Sequence, residues 1–419
     1  MDPMNKSKLI NKIDNRIYFR FFLGLLWSKE ILLNYCRGFL LQVPVFSAVS
    51  DYVIPVVLFL MFLLSYETIA ERLRGSDFVF VMGCILVFVF GFVFYRRNRD
   101  FFRMEWVNFI LGCLPFYFVG VALKSDDEET VLKFLYRISC VSVIAFCIYF
   151  VFVNQMDDDI LRSGDMNSAY NILPHACLTF YYMLKEFKLH RLLVFLLSAV
   201  SQLMMGTRGA VLCLLVFIVL STASVVQFRR PVILLFMAVV CILFVVFEGL
   251  TDLLIDLAYS ISDKLGLSTR VFDKLLSGEF AVSDARVYLR ERARYYIYAY
   301  PLTGLGIYGD RVASGGQYVH NLFLEIYVQF GILMGTVLLG ALTALIYRGG
   351  RVAFKYGGWN VQLIILLLMS CCFKLVVSSS YLRESFFWLL LGYLVAVIRE
   401  YRVDTKRERT YVRNSKLIK

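Results

Sequence analysis

Apolar runs of about twenty residues recur along most of the chain, separated by short clusters rich in arginine and lysine. Wound as helices, runs of that length match the hydrocarbon thickness of a bilayer. Lipid makes the helix compulsory, because a backbone group there finds no partner outside its own segment. About twelve runs are legible, near 21–42, 52–68, 77–95, 105–123, 131–153, 169–187, 190–206, 209–227, 231–248, 321–347, 360–380 and 384–400. Lys29, Glu30 and Arg37 interrupt the first. The chain is 59% hydrophobic and only 18% charged, against about a quarter charged in soluble domains. No soluble core of 419 residues buries so much apolar surface. The expected fold is therefore all-α and polytopic, with about twelve transmembrane helices.

The net charge of +12 comes from 44 Lys and Arg against 32 Asp and Glu. These cations sit mostly between the apolar runs, which suits the positive-inside rule and anionic lipid head groups and argues against a nucleic-acid partner. An even number of spans and a basic segment from Arg399 to Lys419 put both ends in the cytoplasm, with Met1 to Arg20 as a cytoplasmic leader and no cleavable signal peptide. Basic loops then fall inside at Arg72 and Arg74, at Lys185, Lys188 and Arg191, at Arg229 and Arg230, and at Arg348, Arg351 and Lys355. One hairpin disagrees: Arg96, Arg97 and Arg99 lie outside and Asp126 to Glu129 inside. Either the first run is re-entrant, or those arginines meet something anionic.

The ten cysteines show no CxxC spacing, and most lie within apolar runs, where they read as small packing residues. The long stretch from Glu248 to His320 is not apolar and falls on the outer side of this topology. It divides the chain into N-terminal helices (1–189), a core (190–347) holding the outer loop 249–320, and C-terminal helices with the basic segment (348–419).

Three stretches could carry chemistry. In Met205-Gly206-Thr207-Arg208-Gly209-Ala210, an arginine sits between glycines at the expected outer surface. It reads either as a snorkelling interfacial side chain or as an anion contact whose planar fork suits phosphate. Arg286, Arg290 and Arg294 recur four apart, so one helical face carries three cations before Pro301-Leu302-Thr303-Gly304-Leu305-Gly306 ends the helix. That face is either solvated surface or a pyrophosphate site. His320-Asn321 opens a long apolar run, and of the three histidines only His320 lies at an outer membrane boundary; His190 falls in a basic loop and His175 inside a run. Histidine suits proton transfer near neutral pH, although a lone histidine is often structural. Asp157-Asp158-Asp159 reads as a solvated acidic loop rather than a metal site. There is no Walker loop, dinucleotide fingerprint or HExxH, and no cofactor is expected.

Taken together, these stretches resemble the O-antigen ligase and polymerase superfamily of bacterial envelope glycosyltransferases. The family pattern is a small-residue turn around S/T-R-G-A, an arginine about fifteen residues before P-x-x-G-x-G, then H-N-x-x-L-E with glycines downstream. Here these read Thr207 to Ala210, Arg286 before Pro301 to Gly306, and His320 to Glu325 with Gly331 and Gly335. The Arg162-Ser163-Gly164-Asp165-Met166-Asn167 turn resembles the family's external loop, and Gln329 stands where many members carry an acid. The resemblance implies a GT-C-like membrane fold and metal-independent transfer of a glycan from undecaprenyl pyrophosphate at the periplasmic face of the inner membrane. In it Arg208 and Arg286 hold the pyrophosphate, and His320 activates the acceptor hydroxyl. Arg290, Arg294, Asn321 and Arg162 line the substrates.

A polymerase passes the glycan to a lipid-linked repeat, and a ligase passes it to lipid A core. The polymerase is favoured, with a chain-length regulator as a candidate partner. The rival from another class is a flippase for lipid-linked sugars, which calls for repeat symmetry and mid-membrane charges.

Overall fold

The computed structural model describes residues 3–33, 50–123, 128–154, 158–204, 208–226, 284–356 and 361–417, together with Ser260. Every regular element among them is helical. In chain order they are α1 (Pro3–Ser28), α2 (Ser50–Leu64), α3 (Tyr66–Ala70), α4 (Gly75–Phe94), α5 (Arg99–Ile110), α6 (Leu114–Ala122), α7 (Glu128–Asn154) and α8 (Asp158–Lys185). They continue as α9 (Leu189–Met204), α10 (Arg208–Val226), α11 (Asp284–Ala299), α12 (Gly309–Ala313), α13 (Leu322–Tyr356), α14 (Val361–Leu367), α15 (Lys374–Val377) and α16 (Ser385–Leu417). Four stretches are long and apolar enough to cross a membrane: Gly75–Phe94, Arg96–Ala122, Glu128–Ile148 and Leu322–Lys355. Leu189–Gln202, Gly209–Ser224 and Val361–Val376 are shorter apolar helices. This is the architecture of a polytopic membrane protein, with four long spans among the described residues where about twelve were expected. The run near 231–248, most of the outer loop up to 283, and Met205 to Thr207 lie outside the described residues.

Several expected boundaries move. The run 105–123 is not one smooth helix. α5 stops at Ile110, and α6 restarts at Leu114 with a proline in its first turn, where the missing N–H costs nothing. Arg162 to Asn167 form no turn but lie within α8, which Asp158 and Asp159 open. The basic segment after Arg399 continues α16 to Leu417.

The helices form two compact units, Met1–Leu23 with Pro55–Val131 and Asp284–Lys419, and Gly24–Ile54 with Leu132–Ser283. In the second, α8 lies against α9 and α10. Among the described residues its buried polar groups are neutral: the Trp27 indole donates to Ser139 Oγ at 3.0 Å, and His175 Nδ1 meets the same hydroxyl at 3.0 Å. In the first unit, α16 lies along α6. One end of that pair is locked by Arg399, whose guanidinium gives Asp77 two hydrogen bonds of 2.7 Å; Tyr117 donates to the same carboxylate at 3.0 Å. Arg72 pairs with Glu400 at 2.7 Å beside it. The other end of the first unit carries the candidate site.

Candidate active site

The site is built on a helix that breaks. α13 runs for 35 residues, but at Gly331 the backbone turns to φ 73° and ψ 176°, a conformation open essentially only to glycine. The break frees carbonyls that a continuous ladder would use. Val328 O accepts from Leu305 N at 2.8 Å, Gln329 O accepts from Gly306 N at 2.9 Å, and Ile332 N donates to Pro301 O at 2.6 Å. The P-x-x-G-x-G turn is thus plugged into the gap. Gly304, at φ 61°, leaves no room for a side chain, since a Cβ there would lie 2.5 Å from the Gln329 carbonyl. The hairpin that defied the charge rule docks on the same turn. Asn98 Nδ2 donates to Leu305 O at 2.9 Å and to Ile307 O at 2.8 Å, and the Tyr95 ring lies against Gly306. The exposed Arg96 and Arg97 therefore share an end of this unit with the turn.

Beyond the turn, α12 sets Asp310 and Arg311 side by side in the interior. Arg311 is 1% exposed, the largest of the fully buried side chains. Its Nη1 donates to both Asp310 oxygens at 3.1 Å and lies 3.6 Å from Glu325, while Nε and Nη2 donate to Glu105 at 3.3 Å. Nη2 also reaches Ser380 Oγ at 3.2 Å, and that hydroxyl donates to Glu325 at 2.5 Å. Gln329 donates to Asp310 at 2.7 Å and accepts from the Tyr381 hydroxyl at 2.6 Å. Arg383 joins at Glu105 with a 3.2 Å bond and leaves its side chain 45% exposed. Burial alone would push the Arg311 guanidinium down, but Asp310, Glu325 and Glu105 hold it above its ordinary value, so the charge stays. Burial pushes the Asp310 carboxyl up, against the pull of Arg311.

The loop from α12 then takes positive φ at Gly315 and Gly316 and runs without regular structure to His320. Val319 is buried with Ala293, Ile297, Ala313 and Val328, while Tyr318 and His320, two residues apart, bring their ring centroids to 4.1 Å. His320 itself sits in the left-handed region at φ 55°. Asn321 caps α13, its Oδ1 accepting from Leu324 N at 3.1 Å while its amide donates to Val376 O at 3.1 Å.

The matched sequence family decides what this arrangement belongs to. Residues 193–340 match the family model described as O-Antigen ligase. The chain carries an O-antigen ligase domain. Members of that family are membrane enzymes that transfer glycans in O-antigen and polysaccharide biosynthesis, and the family implies lipid-linked glycans as substrates. No curated protein matches the chain.

The O-antigen ligase domain holds most residues that the sequence singles out, and the structure sorts them. His320 and Asn321 head α13. α11 carries the arginine series: its buried side, Leu289, Ala293 and Ile297, faces α12 and α13, Arg290 is half-buried, and Arg294 is exposed. Arg286 lies in the first turn of α11, two turns before Ala293. Arg292, between them, donates to the Tyr288 hydroxyl at 2.6 Å. The first unit thus assembles Arg286, Arg290, Arg294, His320 and Asn321 on neighbouring elements. Arg208, which opens α10, and Arg162, within α8, belong to the second unit.

Sequence reasoning missed Glu105, Asp310, Arg311, Tyr318, Ser380, Tyr381 and Arg383, and gave Glu325 no role. A signal existed for some of them. Glu105 and Glu325 are carboxylates inside apolar runs, which a bilayer tolerates only with a partner. The partner, Arg311, was hidden in a glycine-rich turn that reads as exposed loop. The residues 380–383 carry no recognisable pattern, and they lie beyond the family match. Among the described residues no cluster of His, Cys, Asp and Glu is arranged to hold a metal ion.

Proposed function

We propose that the chain is a polysaccharide polymerase. It transfers a glycan from undecaprenyl pyrophosphate to a lipid-linked repeat at the periplasmic face of the bacterial inner membrane, with residues 190–347 as its core. The acceptor hydroxyl oxygen bonds to the anomeric carbon of the donor while the bond from that carbon to the pyrophosphate oxygen breaks. The hydroxyl proton passes to His320, and undecaprenyl pyrophosphate leaves with the bonding pair. Arg208 and Arg286 meet the developing diphosphate charge, each with a fork that matches phosphate oxygens. Arg290, Arg294, Asn321 and Arg162 contribute to substrate binding. No sugar nucleotide and no metal is needed, because the donor is already activated and guanidinium supplies the positive charge.

The observation that carries this reading is the setting of His320. It is a half-buried histidine in left-handed backbone, at the capped head of a helix, within an O-antigen ligase domain. Strained backbone held by an over-determined surround is characteristic of reacting sites. A ligase is the second reading, favoured by the description of the matched family.

A gel of surface and lipid-linked polysaccharide from a deletion strain tests both, with complementation by wild type or His320→Ala. Single repeats on lipid A core identify a polymerase, and long polymer stranded on undecaprenyl pyrophosphate identifies a ligase. An unchanged ladder, or full complementation by a normally abundant His320→Ala protein, refutes the reading.

A further inference from the structure

We infer that Tyr318 is a positioning residue for His320, its ring packed beside the imidazole and itself held by the Arg311 guanidinium. The inference rests on the reading of His320 as the general base, and it assigns a role to a side chain outside every recognised motif.

The backbone on both sides of His320 is already fixed. Val319 is anchored in the apolar cluster under α11, and Asn321 is tied to both Leu324 and Val376. Backbone restraint does not set a side-chain torsion, however, and an imidazole at a membrane boundary has several rotamers open to it. The Tyr318 ring narrows that choice. It lies 4.1 Å from the imidazole between centroids, tilted by 46°. Tyr318 is itself held: the Arg311 guanidinium carbon sits 5.8 Å from its ring centroid, within cation–π range. Arg311 cannot follow a moving ring, because its donors are committed to Asp310, Glu105 and Ser380.

The order of restraint therefore runs from the buried ion network through an aromatic ring to the reacting nitrogen. The charged groups that bear on Tyr318 come from four segments: Arg311 on α12, Glu325 on α13, Lys374 on α15, and Arg383 before α16. Burial, the largest influence, keeps its hydroxyl protonated, so the ring acts as a neutral surface and not as a second base. A general base has to sit within hydrogen-bond reach of its proton, and a misplacement of about 1 Å can cost about a hundredfold in rate.

The test compares Tyr318→Leu, which removes the ring face, with Tyr318→Phe, which keeps it, in the full-length protein in membranes. The substrate is the undecaprenyl-pyrophosphate-linked repeat extracted from the deletion strain. Tyr318→Leu is expected to lower kcat at least about tenfold with KM within about twofold, and Tyr318→Phe to stay within about twofold of wild type. Should Tyr318→Leu fail to accumulate, Tyr318→Met replaces it. Wild-type kcat in the ringless variant overturns the inference. So does equal damage from the Phe variant, which would assign the effect to the hydroxyl, or a rise in KM alone, which would assign it to substrate binding. His320→Ala runs beside them: if it is inactive while Tyr318→Leu is normal, only the positioning role falls. If His320→Ala is fully active, the base assignment falls and takes this inference with it.

Discussion

The two compact units bury polarity in different currencies. The first closes three carboxylates and a second guanidinium, that of Arg383, around Arg311, tying α5, α12, α13 and the residues before α16 into one charged knot. The second buries a neutral set, in which Trp27, Ser139 and His175 share hydrogen bonds between helices. Hydroxyls and an indole join helices at modest cost and modest gain, about 1 kcal/mol per bond. A buried charge is different. It adds little net stability when paired, yet removing one partner leaves the rest exposed to an apolar surround, at about 3–5 kcal/mol. The contrast teaches that the first unit is specified by its charges and the second by its packing, and that the specified unit holds His320.

The strongest attempt to break that contrast is Arg311→Met. It strands Asp310, Glu325 and Glu105 together and is expected to cost about 3–5 kcal/mol. The measurement is the thermal midpoint of the detergent-solubilised protein; a midpoint within error of wild type would mean that the knot is ornamental. Next comes Gly331→Ala. It forces a side chain into a conformation costing about 1–3 kcal/mol and against the Pro301 carbonyl at 2.7 Å, so the midpoint should fall with the P-x-x-G-x-G turn released. Protease sensitivity near residue 303 is the check, and an unchanged digest would refute the docking. Gln329→Glu replaces the donor to Asp310 with a further carboxylate and is expected to lose about 2 kcal/mol, whereas Gln329→Met, which adds no charge, should lose less. Equal losses would show that charge is not what the site senses. Smallest is Ser139→Ala in the neutral unit, about 1 kcal/mol, with glycan transfer intact. A loss as large as that of Arg311→Met would erase the distinction between the units.

The sequence made the helical membrane class legible, because runs as apolar as Gly75–Phe94 have no other solution. It also marked the P-x-x-G-x-G turn and His320, whose glycines and lone imidazole stand out against aliphatic surroundings. Span limits were less legible. Tertiary contacts rather than hydropathy decide where α5 gives way to α6 and where α13 breaks, and hydropathy is blind to a Gly331 whose φ is positive. The buried knot was illegible for another reason. Asp310 and Arg311 are adjacent charges after glycines, a pattern of exposed loops, and only the fold brings Glu105 to within 3.3 Å from more than two hundred residues away. The capping of α13 by Asn321, read in the sequence as a substrate contact, was likewise not legible there.

The gap at Gly331 settles which parts of the molecule can open. Leu305 and Gly306 are bonded to carbonyls that the helix itself no longer satisfies. Lifting residues 301–306 away would leave Val328 O and Gln329 O without these partners, and a buried carbonyl left unpaired costs about 1–3 kcal/mol. The turn is accordingly a splint and not a lid. On the proposed function, a lipid-linked glycan is admitted by the yielding of some other segment while this turn keeps its place.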